Sequence, residues 1–263
     1  MKKNKRLAIF LTIFVVLALL IVLSSAIFSL DSVSIKFYND LYQLEGEEKN
    51  IISSANFRYG ENVFLANKSE YIETLEKQYP YLRVLNIETI FPNKYVINAV
   101  ERQETYCFKA ENNYVITDER LKVLTKQKEF TNSTSNAIEV TGSGLESINT
   151  QVGEILSNDD TYLQIMNCMR EWQKTPTYAD VKAKIKTIQI DFVDGVNTQN
   201  GNIMLTMWNN VELLIRNAKN KMSDKFNVAF SAFDSAKLAD AKRIVVGEKD
   251  GEIMAYAQTS GTD

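Results

Sequence analysis

Few side chains in this chain have the types and spacing that chemistry requires. Two pairs of adjacent carboxylates, Glu47-Glu48 and Asp159-Asp160, are of the kind used for acid–base work. Each pair stands at the start of a segment that reads as helix, where acids are favoured by the helix dipole with no catalytic role. The chain has two cysteines, Cys107 and Cys168, and no histidine. Ser-His-Asp, Cys-His and His-ligated metal arrangements are therefore excluded within it. Two cysteines are too few for a structural zinc site or a disulfide scaffold. They either pair, which needs Cα atoms within about 7 Å, or act as small buried hydrophobes. The sequence contains no P-loop, no G-x-G-x-x-G and no nucleophile elbow. No catalytic residue, metal or cofactor is expected.

The elements that would position any site begin with an uncharged apolar run, residues 7–28. As a helix it would extend roughly 33 Å at about 1.5 Å per residue, enough for a hydrocarbon core near 30 Å. Lys2, Lys3, Lys5 and Arg6 precede it. Of the 30 basic residues these four lie before the run, and all 33 acids lie after it, so the rest of the chain carries a net −7 out of −3 in total. The positive-inside rule then places residues 1–6 in the cytoplasm and the remainder outside, as a single-pass membrane protein. The rival reading is a cleaved signal peptide ending at Ser24-Ser25-Ala26, but the run exceeds the roughly 7–15 apolar residues of such peptides. A net-acidic exterior would repel phosphate, so no nucleic-acid partner is expected.

Beyond the run, residues 33–38 alternate as a strand, 47–54 suit a short helix and 67–79 a clearer one. Asn67 could cap that second helix, with Glu70 three residues on. Its apolar face is Tyr71, Ile72, Leu75 and Tyr79, and Pro80 stops it. Residues 83–91 and 95–102 read as strands around a Pro92-Asn93 turn. Later strands are expected at 105–109, 114–117, 137–140, 184–192, 203–207, 211–215, 243–246 and 252–257, with a polar loop at 126–136. Helices are expected at 159–173 and at 223–233, the latter capped by Ser223. Trp172 and Trp208 read as core. The Met204, Met207 spacing does not suit one strand face.

These features resemble the FtsQ/DivIB bacterial cell-division family along nearly the whole chain. The resemblance rests on Tyr59-Gly60-Glu61-Asn62-Val63-Phe64, then Gln78-Tyr79-Pro80-Tyr81, Phe91-Pro92-Asn93, Val100-Glu101-Arg102, and Asp118 leading to Val123-Leu124. Its marker positions are Gly60, Asn62, Phe64, Tyr79, Pro80, Pro92, Glu101, Arg102 and Asp118. Departures are Asn39 and Leu121, where the family often has glycine, and Glu104, where it often has proline.

The resemblance implies an α+β fold: a single N-terminal transmembrane helix, a β-α-α-β-β POTRA domain, then a strand-rich β domain with two helices. The expected limits are a cytoplasmic tail at 1–6, the transmembrane helix at 7–28, the POTRA domain at 29–103, the β domain at 104–258 and a tail at 259–263. It also implies a non-enzymatic scaffold of the divisome, placed at the septum of the cell membrane. Its partners would be FtsB/DivIC-like and FtsL-like single-pass coiled-coil proteins, and septal wall synthases by extension. In the family the last strands bind those partners. Carried onto this chain, the candidate contacts are Val246, Lys249, Glu252, Ile253, Met254 and Tyr256. An exposed sheet edge offers backbone groups to an added strand. Glu101-Arg102 could form an internal ion pair setting an interdomain angle. The alternatives are a POTRA-bearing export or assembly accessory, and a membrane-anchored carboxylate hydrolase.

Overall fold

The computed structural model describes residues 11–16, 27–40, 42–110, 113–130, 137–142, 148–156, 184–191, 201–235 and 241–258, with isolated helical positions between 162 and 171. Two compact units divide at Arg102/Gln103.

The first unit runs β1 (Ser32–Phe37), α1 (Glu48–Ser54), α2 (Lys68–Gln78), β2 (Leu82–Ile90) and β3 (Lys94–Glu101). The sheet order is β1-β3-β2, with β1 parallel and β2 antiparallel to β3. A parallel neighbour needs a long crossover, and the two helices supply it. Alternation along β3 sends Tyr95, Ile97 and Ala99 into a core shared with Ile51 of α1 and Tyr71 and Leu75 of α2. The helix α2 ends because Tyr79 precedes Pro80, and a residue before proline is pushed out of helical geometry; Tyr79 sits at φ −120. One expectation is corrected here. Asn67 makes no side-chain cap; its carbonyl accepts the Glu70 N–H instead, at 3.2 Å. The Phe91-Pro92 bond of the β2–β3 turn is cis.

The larger correction concerns the membrane-crossing helix expected at residues 7–28. Among the described residues no helix is long and apolar enough to cross a membrane. Residues 11–16 are helical and exposed, while 1–10 and 17–26 lie outside the described residues. Hydropathy supplied the expectation, and apolar length is necessary for crossing without being sufficient. The α+β class itself agrees with the structure.

The second unit contains β4 (Tyr106–Ala110), β5 (Asn113–Thr117), β6 (Val123–Gln127), β7 (Ile138–Gly142), β8 (Ile185–Asp191), β9 (Asn202–Met207), β10 (Glu212–Ile215), α3 (Met222–Phe233), β11 (Arg243–Lys249) and β12 (Glu252–Gln258). They form one nine-stranded sheet, β12-β11-β10-β9-β8-β7-β4-β5-β6. The pairs β4–β7, β7–β8 and β10–β11 are parallel. The helix α3 makes the β10-to-β11 crossover and buries Phe226, Ala229 and Phe230 in the main core with Ile244 and Val246. Gly142 (φ 132) fits closely against β8: a Cβ there would collide with the Ile190 carbonyl.

Strand β6 was not expected. Its sequence VLTKQ has two apolar residues, and the polar stretch beginning at Lys126 reads as loop. Ser223 does not cap α3; the helix begins at Met222 behind Lys221, which is left-handed (φ 51). Trp208 is half exposed rather than core, with the Lys186 ammonium 6.0 Å from its ring. The two cysteines are free and buried. Of the helix expected at 159–173, Tyr162, Ile165 and Cys168 are described and buried. Asp159, Asp160, Trp172, the turn following Asp191 and the tail at 259–263 lie outside the described residues.

Candidate partner-binding edge

Strand β12 is the terminal strand of the nine-stranded sheet. It is joined to β11 by Asp250-Gly251, both left-handed (φ 54 and 85). That conformation is the two-residue hairpin turn favoured by Asp-Gly, because its twist matches the flanking strands. It fixes the register Lys249↔Glu252, Gly247↔Met254 and Val245↔Tyr256. Period-two alternation then divides the candidate contacts. Glu252, Met254 and Tyr256 share the exposed face, with Met254 at 39% and Tyr256 at 43%. Ile253 and Ala255 pack against the main core, and Val246 is fully buried within it. Lys249 stands opposite Glu252 on its own hairpin. Opposite Met254, Gly247 has open space where a side chain would lie.

Beneath the hairpin, α3 fixes the edge. The Lys221 ammonium contacts the Glu248 carboxylate at 3.0 Å and reaches toward the Gly251 carbonyl at 3.5 Å. Lys225 is fully buried and donates to the Asn217 carbonyl at 2.8 Å. Burial lowers its pKa, the neighbouring Lys221 acts in the same direction, and Glu248 opposes them. Arg243 and Glu212 close a 2.6 Å pair between β11 and β10. The outer side of β12 is different. Among the described residues, no backbone–backbone hydrogen bond outside the β11 pairing involves residues 252–257.

The marker residues of the first unit build local structure. Gly60 is left-handed (φ 86), and the Asn62 carboxamide oxygen accepts the Phe64 N–H at 2.9 Å. Tyr79 is half-buried against the core; Pro80 follows it, and Pro92 is exposed in the β2–β3 turn. The Glu101 carboxylate accepts the backbone N–H groups of Tyr42, Gln43 and Leu44 at 2.9–3.0 Å through its Oε2. Arg102 pairs with Glu76 at 2.7 Å and donates to the Leu82 carbonyl. The expected joint role of Glu101-Arg102 thus divides into two separate fastenings inside the first unit. Asn39 is not left-handed; its carboxamide exchanges two hydrogen bonds with the Glu101 backbone, at 2.8 and 2.9 Å. In the second unit the Asp118 carboxylate accepts the Arg120 and Lys122 N–H groups at 2.9 and 2.8 Å. Leu121 itself takes the left-handed conformation (φ 63) at the position where the family often has glycine. Glu47 and Glu48 sit at the start of α1, and the Glu47 carboxylate accepts from the Asn50 side chain at 2.8 Å.

Sequence reasoning passed over Asp250-Gly251, although Asp-Gly between two apolar runs is a direct hairpin signal. It also ended β11 three residues early, because Gly247-Glu248-Lys249 is polar.

No protein-family profile matches the chain. Among curated proteins, the "Cell division protein DivIB" of Clostridium botulinum is 27% identical over 170 residues, 63% of this chain and 62% of that protein. The protein of the same name from Clostridium acetobutylicum is 25% identical over 196 residues, 74% of this chain and 72% of that protein. The match thus spans less than two thirds of the first relative's length and somewhat more of the second's.

Proposed function

From the FtsQ/DivIB family, which the two DivIB relatives support, we propose that this chain is a non-enzymatic cell-division scaffold that receives partner chains along β12. The first unit is read as a POTRA domain and the second as the β domain. The partners are small coiled-coil proteins of the FtsB/DivIC and FtsL type, and the complex works at the septum. The observation that carries this reading is the outer edge of β12, a terminal strand beside exposed Met254 and Tyr256. An added strand would gain affinity from main-chain hydrogen bonds and specificity from alternate side chains. Aromatic and methionine side chains are the types enriched where interfaces are most buried.

The test is Tyr256→Arg. Its side chain is 43% exposed, so the variant should fold. Losing a central aromatic anchor should weaken capture of the partner pair by ~30-fold or more. Full binding by this variant, together with loss of binding on changing a surface residue far from β12, sinks the proposal. A tagged copy in dividing cells should concentrate at midcell; an even distribution would remove the division role itself.

A further inference from the structure

Three phenylalanine rings gather at one end of the first unit. Phe28 and Phe64 lie 5.2 Å apart, Phe64 and Phe91 5.5 Å, and Phe28 and Phe91 6.4 Å. Phe64 and Phe91 remain 59% and 63% exposed, and their sequence neighbours Ile27, Leu65 and Ile90 are exposed as well. Phe28 alone reaches the core. This arrangement is fastened rather than loose. The Val63 N–H donates to the Phe28 carbonyl at 2.9 Å, Leu30 to Glu61 at 2.8 Å, and Asp31 to Asn93 at 2.9 Å. The Asn62 side chain holds the turn that presents Phe64. Residues 28–31, 60–64 and 91–93 are thus stitched together, with Phe64 and Phe91 turned outward over Phe28. A contiguous exposed apolar patch of this kind marks an interaction site.

We propose that this cluster rests on the surface of a phospholipid bilayer, with its rings at the boundary between headgroups and acyl chains. The occupant follows from what leads into the patch. The uncharged run at residues 7–28 ends at Phe28, itself a member of the cluster. Where that run is described, Leu11, Ile13, Phe14, Val15 and Val16 are each at least half exposed. Successive apolar residues cover every side of a helix, and such a surface is stable only in an apolar medium. None of Ile27, Phe28, Phe64, Leu65, Ile90 and Phe91 is charged, and aromatic rings are enriched at membrane–water boundaries. A fluid interface accepts three rings without a complementary groove. The contact is peripheral, made by side chains of the first unit, and needs no membrane-crossing helix.

The experiment uses the full chain with phosphatidylcholine vesicles and no partner protein, so its outcome is separate from the β12 reading. A polarity-sensitive fluorophore is placed on Leu65→Cys or on Tyr42→Cys. The native Cys107 and Cys168 are buried and should not label. Tyr42 is tied to Glu101 at the far end of β3 from Lys94, about 23 Å away at ~3.3 Å per residue. We expect a blue shift and strong quenching by brominated lipid at position 65, with neither at position 42. Adding Phe64→Ser and Phe91→Ser should remove most of the quenching at 65 and leave thermal unfolding unchanged, since both rings are largely exposed. Failure of the chain to associate with vesicles, equal signals at both positions, or quenching at 65 that survives both serines would overturn the proposal.

Discussion

The two ends of the nine-stranded sheet are finished in opposite ways. At one end, the start of β6 is tied to its own chain. Val123 donates to Glu154 and accepts from Gly153, Leu156 donates to Leu121, and Lys122 bridges to Ile155. At the other end, β12 has only β11 beside it among the described residues. Sheet edges invite further pairing, and proteins usually cover or disguise them. Here one edge is closed at its first residue, and the other has no such tie among the described residues and is fastened by a tight turn and by the Lys221–Glu248 pair. On the proposed reading β12 is the edge that receives another chain, and the middle of the sheet links a half closed at the start of β6 to an open half.

Gly142 stands on that link, and changing it should have the largest effect. Gly142→Ala drives a Cβ into the Ile190 backbone at a φ that side chains rarely adopt. We expect a loss of at least ~3 kcal/mol, read as a large drop in the denaturation midpoint of the second unit. A near-native midpoint would show that β7 and β8 are not joined as described. A smaller effect is expected at the open end. Gly251→Ala places a side chain at φ 85 in the hairpin turn, costing about 1–2 kcal/mol. It should also weaken partner capture by loosening the β12 register; unchanged stability and capture would mean the turn does not set that register.

The smallest perturbation compares accessibility. Cys107 lies on β4, covered on the closed half with Ile116, Tyr114 and Phe130. Burial, followed by Glu139 and Glu104, pushes its pKa up to about 12. At pH 8 its thiolate fraction is then on the order of a thousandfold below that of an ordinary thiol at 9.0. A thiol introduced by Met254→Cys should be alkylated promptly while Cys107 is not; comparable rates would break the contrast. Because the folded pKa of Cys107 is raised, its contribution to stability is fully present below the ordinary value of 9.0 and is lost as pH rises toward about 12.

What could be read from the sequence was local. The apolar spacing of Tyr71 and Leu75 before Pro80 indicated α2 within a residue or two, because one helix turn carries the signal. The alternation of Met254 and Tyr256 against Ile253 and Ala255 gave the two faces of β12 for the same reason. Pairing between distant segments was not legible. Nothing in VLTKQ announces that β6 ends a nine-stranded sheet, and nothing in Glu139 or Thr187 announces that β7 and β8 run parallel. Leu121 in a left-handed position contradicts its own preference and is held by full burial and by the Asp118 carbonyl, which accepts its N–H at 3.1 Å. Glu101 and Arg102 were visible as a pair in sequence, yet their partners lie 57 and 26 residues away. The membrane-crossing helix was inferred from hydropathy alone, which has no access to how a segment is arranged.

The placement of those two fastenings has a consequence for synthesis. Glu101 and Arg102 are the last two residues of the first unit. The loop at 42–44 receives its carboxylate, and Glu76 its guanidinium, only once the ribosome has released the end of β3. Chains grow at about 5–20 residues per second and domains fold as units as they emerge. The first unit therefore stays unlatched until its final two residues are free, and then both fastenings become possible almost together. A nascent chain stalled with Val100 as its last exposed residue should be readily digested by protease within residues 40–46, and one extended past Arg102 should resist.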